Sequence, residues 1–143
     1  MRLFSQNVKI EALKRAPLFE GLSKKELTEL ARVTEDLKVD AGTVLCREGS
    51  VGREFFVIVD GDAEVTKGGT KLATRRGGDF VGEIALLKTS RRTATVRATT
   101  PLRCFILTQA DFRHVLEDNP GVQLKVMQAL ADRLAADVEL HGI

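Results

Sequence analysis

Residues 54–65 read EFFVIVDGDAEV, and this stretch decides the class of the fold. A short run of aromatic and β-branched residues, FFVIV, predicts a β-strand. Asp60 and Gly61 separate it from a second strand-like run, and an Asp-Gly pair between two such runs predicts a β-hairpin. The first expectation is therefore a fold built on β-structure.

Similar short runs, punctuated by glycine turns, stand on both sides of this stretch. At near-regular spacing they predict a barrel or a jelly roll. We therefore expect residues 36–108 to form a double-stranded β-helix, or β-roll, in a mainly β fold with flanking helices. The further strand-like runs are DLKVD (36–40), TVLCRE (43–48), AEVTKG (63–68), TKLATRR (70–76), TATVRAT (93–99) and LRCFILT (102–108).

Helical patterns flank this region, so that residues 1–143 are predicted to form one domain. In the N-terminal helical segment, residues 1–35, Ser23 and Glu26 have the spacing of a capping box. The C-terminal segment, residues 109–143, contains the last helices.

Two starting signals mark helices in the C-terminal segment. Thr108 and Asp111 have capping spacing, and Pro120 suits the first turn of a long helix. Apolar residues then recur every three to four positions, and we expect this seam to pack in the core rather than to form a dimer stripe. The seam comprises Leu124, Met127, Ala131, Leu134 and Val138.

Composition and charge narrow the class of protein. The 143 residues are 43% apolar and 29% charged with a net charge of +2, which argues against disorder and against a concentrated basic face for nucleic acid. Apolar runs are too short for a transmembrane helix. Near the N-terminus, Lys9, Glu11 and Lys14 interrupt the apolar core that a signal peptide would need. We expect a cytoplasmic chain that binds neither nucleic acid nor membrane directly.

The cysteines and histidines show no ligand pattern. Cys46 and Cys104 lie far apart in strand-like runs and are expected to be buried thiols. His114 and His141 fall in the C-terminal helices, whereas a cupin-like metal enzyme would need ligands clustered on strands. A metal site, catalytic residues and a cupin-like activity are therefore the less favoured alternative.

Residues 80–99, FVGEIALLKTSRRTATVRAT, carry the main functional signal. GEIALL lacks strand alternation and predicts a single helical turn whose first N–H groups, near Gly82, can receive an anion. Glu83 beside such a site fits ligand hydroxyls, and the donor fork of Arg92 fits a phosphate. A compact ligand with a phosphate and a nearby hydroxyl is expected, which points to a nucleotide in the broad sense.

This stretch resembles the phosphate-binding cassette of the cyclic nucleotide-binding domains. These occur in protein kinase A regulatory subunits, catabolite activator-type regulators and cyclic-nucleotide-gated channels. LKRAPLFEGLS (13–23) resembles the N-terminal helical motif of that family, and GTVLCREGSVGREFFVIVDGDAEV (42–65) resembles its first β-roll turns. The likeness covers most of the chain, and the final helix stands where the family has its lid.

The resemblance implies roles for individual residues. Glu83 matches the glutamate that binds the ribose 2′-hydroxyl, and Arg92 matches the arginine that pairs with the cyclic phosphate. Val81 stands where many members have phenylalanine and Arg91 where proline is frequent, but neither change removes a ligand-binding group. Further contacts are implied from the backbone at Gly82, Ile84 and Ala85, and from Thr93 and Ala94 beside the phosphate.

The function implied by the resemblance is a regulatory module without cofactor or enzymatic activity. Thr93 leaves the base open, because a threonine after the phosphate arginine often accompanies cGMP recognition but occurs in cAMP binders too; we expect cAMP. The C-terminal helix is expected to close over the ligand, or to mediate a homodimer or contact a regulated domain. Candidates for the residue that covers the base are Met127, Leu130, Arg133, Leu134 and Asp137.

In one alternative the chain binds the same ligand but belongs to a different kind of protein. The chain would then be the sensing part of a catabolite activator-type transcription regulator, or of a larger channel or enzyme. A DNA-binding output would require a helix-turn-helix, and the sequence ends at Ile143 after the long helix.

Overall fold

The computed structural model describes residues 2–141, and the side chains of residues 6–132 and of Ala135. It has the expected mainly β architecture with flanking helices. The helices are α1 (Arg2–Lys14), α2 (Lys24–Arg32), α3 (Gln109–Asp118) and α4 (Pro120–His141), with short 3-10 turns at Pro17–Phe19 and Glu83–Leu86. The strands are β1 (Glu35–Val39), β2 (Val44–Cys46), β3 (Val51–Gly52), β4 (Glu54–Asp60), β5 (Asp62–Lys67), β6 (Thr70–Arg76), β7 (Phe80–Val81), β8 (Ser90–Arg91), β9 (Thr95–Ala98) and β10 (Leu102–Thr108).

The chain divides into two compact units. One is a β unit, Val33–Phe112, and the other is a helical unit made of Met1–Arg32 and Arg113–Ile143. The division falls within α3.

Antiparallel strands of the β unit form two four-stranded sheets with strand orders β1-β10-β4-β7 and β2-β9-β5-β6, together with the small pair β3-β8. Their core draws on both sheets: Ile58 pairs with Cys104 in the first, and Val65 with Val96 in the second. Both cysteines are buried and free, as predicted. Burial raises the pKa of the Cys104 thiol to about 11.

The hairpin predicted at Asp60-Gly61 is wrong. β4 and β5 belong to different sheets, so the chain passes from one sheet to the other at Gly61. Gly61 has φ of 97°, and a Cβ there would collide with the carbonyl oxygen of Pro101. The Asp-Gly pair therefore marks the passage between the two sheets, where the backbone at Gly61 lies close to the backbone at Pro101. The nearest hairpin joins β5 to β6 through Gly68-Gly69.

In the helical unit, the predicted capping box is confirmed. The Ser23 amide donates to Glu26 Oε1 at 2.9 Å, and the Glu26 amide donates to Ser23 Oγ at 3.2 Å. Lys125 of α4 donates to Glu26 Oε1 at 2.6 Å. The carboxylate that caps α2 therefore also binds α4.

The described residues of the apolar seam predicted on α4 do not pack in the core. Leu124 and Met127 are 57% and 64% exposed, and Ala131 is exposed as well. α4 contacts the turn Pro17–Phe19, and its buried residues form a different stripe. That buried stripe is Val122, Val126 and Ala129, whereas the side chains of Leu134 and Val138 lie outside the described residues.

The remaining starting signals are confirmed. The Asp111 amide donates to Thr108 Oγ1 at 3.1 Å at the start of α3, and α4 begins at Pro120. None of the helices in the described part of the chain is long and apolar enough to cross a membrane.

Candidate functional site

The segment GEIALL forms one helical turn inside the β unit, as predicted. The turn spans Glu83–Leu86 and is preceded by Gly82. The Ala85 amide donates to the Gly82 carbonyl at 2.9 Å, and the Leu87 amide donates to the Ile84 carbonyl at 3.0 Å. The amide of Ala85 is therefore used within the turn.

Side chains of this turn face opposite ways. Glu83 is only 6% exposed and Ala85 only 5%, whereas Ile84 is 52% exposed. A buried carboxylate is costly for a fold unless polar groups surround it. The β unit thus shields the Glu83 carboxylate from bulk water.

Arg92 is held by its backbone and by its side chain. Its amide donates to the Ser50 carbonyl at 2.7 Å, and its carbonyl accepts from the Gly49 amide at 2.8 Å. Nη2 donates to the carbonyl oxygen of Glu54 at 2.7 Å and lies 3.6 Å from Glu54 Oε1. With a side chain only 11% exposed, the guanidinium is fixed at the start of β4.

Two glycines leave the space that this guanidinium occupies. A Cβ built on Gly52 or on Gly82 would collide with it, and the one on Gly82 would also lie 2.8 Å from the Glu54 carbonyl oxygen. The structure therefore brings Arg92 against Gly82, the residue that precedes Glu83. The cation therefore lies against the residue next to Glu83, although nine positions separate Glu83 from Arg92.

Neither Gly52 nor Glu54 was predicted from the sequence to belong to the site. A signal is present, since Gly52 is a glycine at the end of a strand, β3, and only Arg53 separates it from β4. A glycine in such a position indicates that another group approaches the backbone closely.

Thr93 and Ala94 follow Arg92 and lead into β9. Thr93 is exposed and Ala94 is half-buried. Nearby, Arg91 donates from Nη1 to the Gly49 carbonyl at 2.7 Å, so both arginines bind the same turn.

The thiol of Cys46 lies within the electrostatic reach of this site. Burial raises its pKa, the charge of Arg92 opposes that shift, and the charge of Glu54 adds to it. Among the residues that the structure describes, no cluster of three or more His, Cys, Asp or Glu side chains could hold a metal ion. The exposed His114 lies 3.9 Å from Glu117, and the side chain of His141 is outside the described residues.

The lid candidates lie on α4 in the helical unit. Met127 is exposed and Leu130 is half-buried. The side chains of Arg133, Leu134 and Asp137 lie outside the described residues.

Comparisons with known proteins place this geometry in a family. The family model "Cyclic nucleotide-binding domain" matches residues 36–119. The chain is 38% identical over 106 residues to a cAMP-dependent protein kinase regulatory subunit of Yarrowia lipolytica, covering 73% of this chain and 28% of that one. It is 30% identical over 130 residues to a putative potassium channel protein of Rhodopseudomonas palustris, covering 89% of this chain and 32% of the channel.

A solved structure shows the same fold. It is the N-terminal domain of a transcriptional regulator from Streptomyces coelicolor A3(2), with a TM-score of 0.84 and 26% identity over 90% of this chain and 95% of that domain. The chain spans less than about a third of the two protein relatives named above. Since the family model covers more than half of its residues, this chain belongs to the cyclic nucleotide-binding domain family, whose members are regulatory modules.

Proposed function

We propose that this chain binds a cyclic nucleotide, with cAMP preferred over cGMP, at the site formed by Glu83 and Arg92. One observation carries the proposal: the largely buried guanidinium of Arg92 lies against Gly82, the residue that precedes the buried Glu83. A cyclic nucleotide carries its phosphate and its ribose 2′-hydroxyl on adjacent positions of the sugar, so one small site with a cation and a carboxylate can bind both. The proposed function is binding, without a catalytic step.

Arg92 would bind the cyclic phosphate. A guanidinium carries five N–H donors in a planar fork, and the hydrogen bond described for it uses Nη2. Partial burial strengthens the attraction, because solvent screens the charge less. Thr93 and Ala94 would flank the phosphate, and backbone groups at Gly82 and Ile84 would complete the contact. The Ala85 amide, which donates to the Gly82 carbonyl in the ligand-free turn, would have to give up that bond to join them.

Glu83 would accept a hydrogen bond from the ribose 2′-hydroxyl. A carboxylate only accepts hydrogen bonds, so it is suited to hydroxyls and unsuited to phosphate oxygens. With Arg92 beside it, the site separates the two ligand groups by charge.

Ligand binding would act as a switch through α4. A ligand shifts a conformational equilibrium only if it binds one state more tightly than the other. In this proposal a residue among Met127, Leu130, Arg133, Leu134 and Asp137 covers the base in the bound state. The chain would report ligand through the position of that helix.

A second proposal concerns the setting of the module. The Streptomyces domain belongs to a transcriptional regulator, and the relatives include a kinase regulatory subunit and a putative channel. These support a role as the ligand-sensing part of a longer protein. The exposed Leu124 and Met127 are compatible with a homodimer or a regulated partner domain; sedimentation velocity at several concentrations distinguishes a dimer from a monomer.

The test is calorimetric titration of the chain with cAMP and with cGMP. Micromolar or tighter binding is expected, with cAMP tighter. Arg92→Ala should weaken binding by about 2–5 kcal/mol, the usual range for unpairing a desolvated charge, whereas Arg91→Ala removes the same charge next to it and should cost much less. Equal affinity of wild type and Arg92→Ala would refute the phosphate role.

The role of Glu83 is tested with a ligand that lacks the 2′-hydroxyl. Glu83→Gln should weaken cAMP binding and have little effect on 2′-deoxy-cAMP, with thermal denaturation confirming that the variant is folded. A similar loss for both ligands would contradict the 2′-hydroxyl role.

A further inference from the structure

Gln109 is a buried polar residue at the start of α3. It is only 6% exposed, and its position is the first of the helix. Buried polar side chains are almost always hydrogen-bonded, because an unpaired one costs stability. The partners of Gln109 therefore indicate its role.

Both ends of the carboxamide are used. Nε2 donates to the carbonyl oxygen of Ala85 at 2.9 Å, and Oε1 accepts from Thr89 Oγ1 at 3.1 Å. The backbone amide of Gln109 donates to the Arg53 carbonyl at 2.8 Å. Because the amide nitrogen needs an acceptor and the amide oxygen a donor, these partners fix one orientation of the side chain.

The three partners lie on the segments that build the nucleotide site. Ala85 belongs to the turn that carries Glu83, and Thr89 lies between that turn and Arg92. Arg53 precedes Glu54, whose carbonyl binds the Arg92 guanidinium. Gln109 thus connects the turn that carries Glu83 to the segment that binds the Arg92 guanidinium.

The turn itself does not supply a partner for the Ala85 carbonyl. The amides of Leu87 and Lys88 both donate to the Ile84 carbonyl. At the end of a helical turn the last carbonyls need such an outside partner. The side chain of Gln109 provides it.

We propose that Gln109 is a positioning residue for the nucleotide site, which sets the place of the Glu83 turn relative to Arg92 without contacting the ligand. This rests on the proposed function of that site. The consequence is that changes at Gln109 alter nucleotide affinity, although the residue belongs to the helix that follows the β-roll.

The decisive variant is Gln109→Glu, which has nearly the same shape. An ionised carboxylate cannot donate to the Ala85 carbonyl, so cAMP affinity at pH 8 should fall by about tenfold, as expected for an unpaired buried group. A protonated carboxyl can donate to Ala85 and accept from Thr89. The affinity of Gln109→Glu should therefore recover as the pH falls towards 5, since burial raises the pKa of such a group.

The matched control is Gln123→Glu. Gln123 also donates from Nε2 to a backbone carbonyl, that of Leu116 at 2.8 Å, but it is exposed and lies in the helical unit. The cAMP affinity of Gln123→Glu should match that of the wild type at both pH values.

A second readout does not depend on the ligand. In the ligand-free chain, Gln109→Glu at pH 8 should speed hydrogen exchange at the amides of Ala85, Leu87 and Lys88, and Gln123→Glu should not. Unchanged exchange overturns the inference whether or not nucleotides bind. Unchanged affinity, or a loss that is the same at pH 5 and pH 8, overturns it as well.

The two proposals fail separately. If the wild-type chain binds neither cAMP nor cGMP, the proposed function is wrong, while the exchange experiment still decides whether Gln109 holds the Glu83 turn. If the wild type binds and Gln109→Glu behaves like the wild type, only the positioning role is wrong.

Discussion

The guanidinium of Arg92 occupies the space in which a side chain at Gly52 would have to lie. A Cβ on Gly52 would collide with Nε, Cδ and Cζ of Arg92. A Cβ on Gly82 would collide with the same guanidinium at Nη1. Two missing side chains therefore define the position of the arginine as much as its hydrogen bond to Glu54 does.

Gly52→Ala should consequently weaken nucleotide binding. The new methyl displaces the guanidinium from the Glu54 carbonyl, and we expect a loss of about 1–3 kcal/mol, less than for removal of the arginine itself. Calorimetry with cAMP measures it. Gly21→Ala is the control, since its Cβ would meet only Lys125 Cβ at an ordinary 3.9 Å. Undiminished binding by Gly52→Ala would show that Arg92 tolerates displacement.

Glu54→Gln should tighten binding of the cyclic phosphate. The carboxylate lies 3.6 Å from Arg92 Nη2 with its side chain 47% exposed, so a phosphate competes with it for the guanidinium. Exposed ion pairs contribute about 0–1 kcal/mol, which limits the gain to about fivefold. The gain should shrink at high salt.

Glu29→Gln is a fair control for that variant. Glu29 pairs with Arg32 at 3.2 Å in the helical unit, so the change in net charge is the same. Weaker binding by Glu54→Gln would mean that the carboxylate orients Arg92 for the ligand instead of competing with the ligand.

Local signals in the sequence were sufficient for much of the fold. The capping box at Ser23 and Glu26, the start of α4 at Pro120 and the helical turn at Glu83 each depend on residues within a few positions. The two-residue strands were not predicted, because two residues carry no periodicity. These strands are β3, β7 and β8.

Long-range contacts explain what the sequence could not predict. The Glu54 carbonyl binds Arg92 across 38 positions, and Gln109 binds Ala85 across 24. Every residue has a backbone carbonyl with the same chemistry, so the residue types at these positions do not predict which carbonyl is bound. On α4, apolar residues recur on two stripes, one with Leu124 and Met127 and the other with Val122 and Val126. Only the tertiary packing decides which stripe is buried.

Substitution should destabilise the fold strongly at Gly61 and hardly at all at Gly68. Gly61 has φ of 97°, and a Cβ there would collide with the backbone at Pro101 and Leu102. Gly61→Ala should cost about 2–4 kcal/mol, from left-handed strain plus the collision. Gly68 has φ of 58° with no atom within 4 Å of a Cβ, and Gly68→Asn should change stability by less than about 0.5 kcal/mol.

Urea denaturation of the two variants measures this difference. Equal destabilisation would show that the passage between the sheets at Gly61 is no more constrained than the hairpin at Gly68.

The ion pair between Glu26 and Lys125 should make stability depend on acid pH. The hydrogen bond from Lys125, followed by that from the Ser23 amide, lowers the pKa of Glu26 below its ordinary value of 4.5. A carboxyl with a lowered folded-state pKa stabilises the fold above its unfolded-state pKa and loses that contribution as the pH falls through the folded value. The difference in unfolding free energy between wild type and Glu26→Gln should therefore be constant from pH 5 to 7 and shrink below about pH 4.

A double-mutant cycle isolates the pair. Glu26→Gln and Lys125→Met, alone and together, should give a coupling of about 1 kcal/mol or less at pH 7, because the Lys125 side chain is 37% exposed and solvent screens the charges. The coupling should decrease as the pH falls below about 4, since protonation removes the charge of the carboxyl. A coupling that does not depend on pH would mean that packing of the Lys125 stem, rather than its charge, holds α4 against α2.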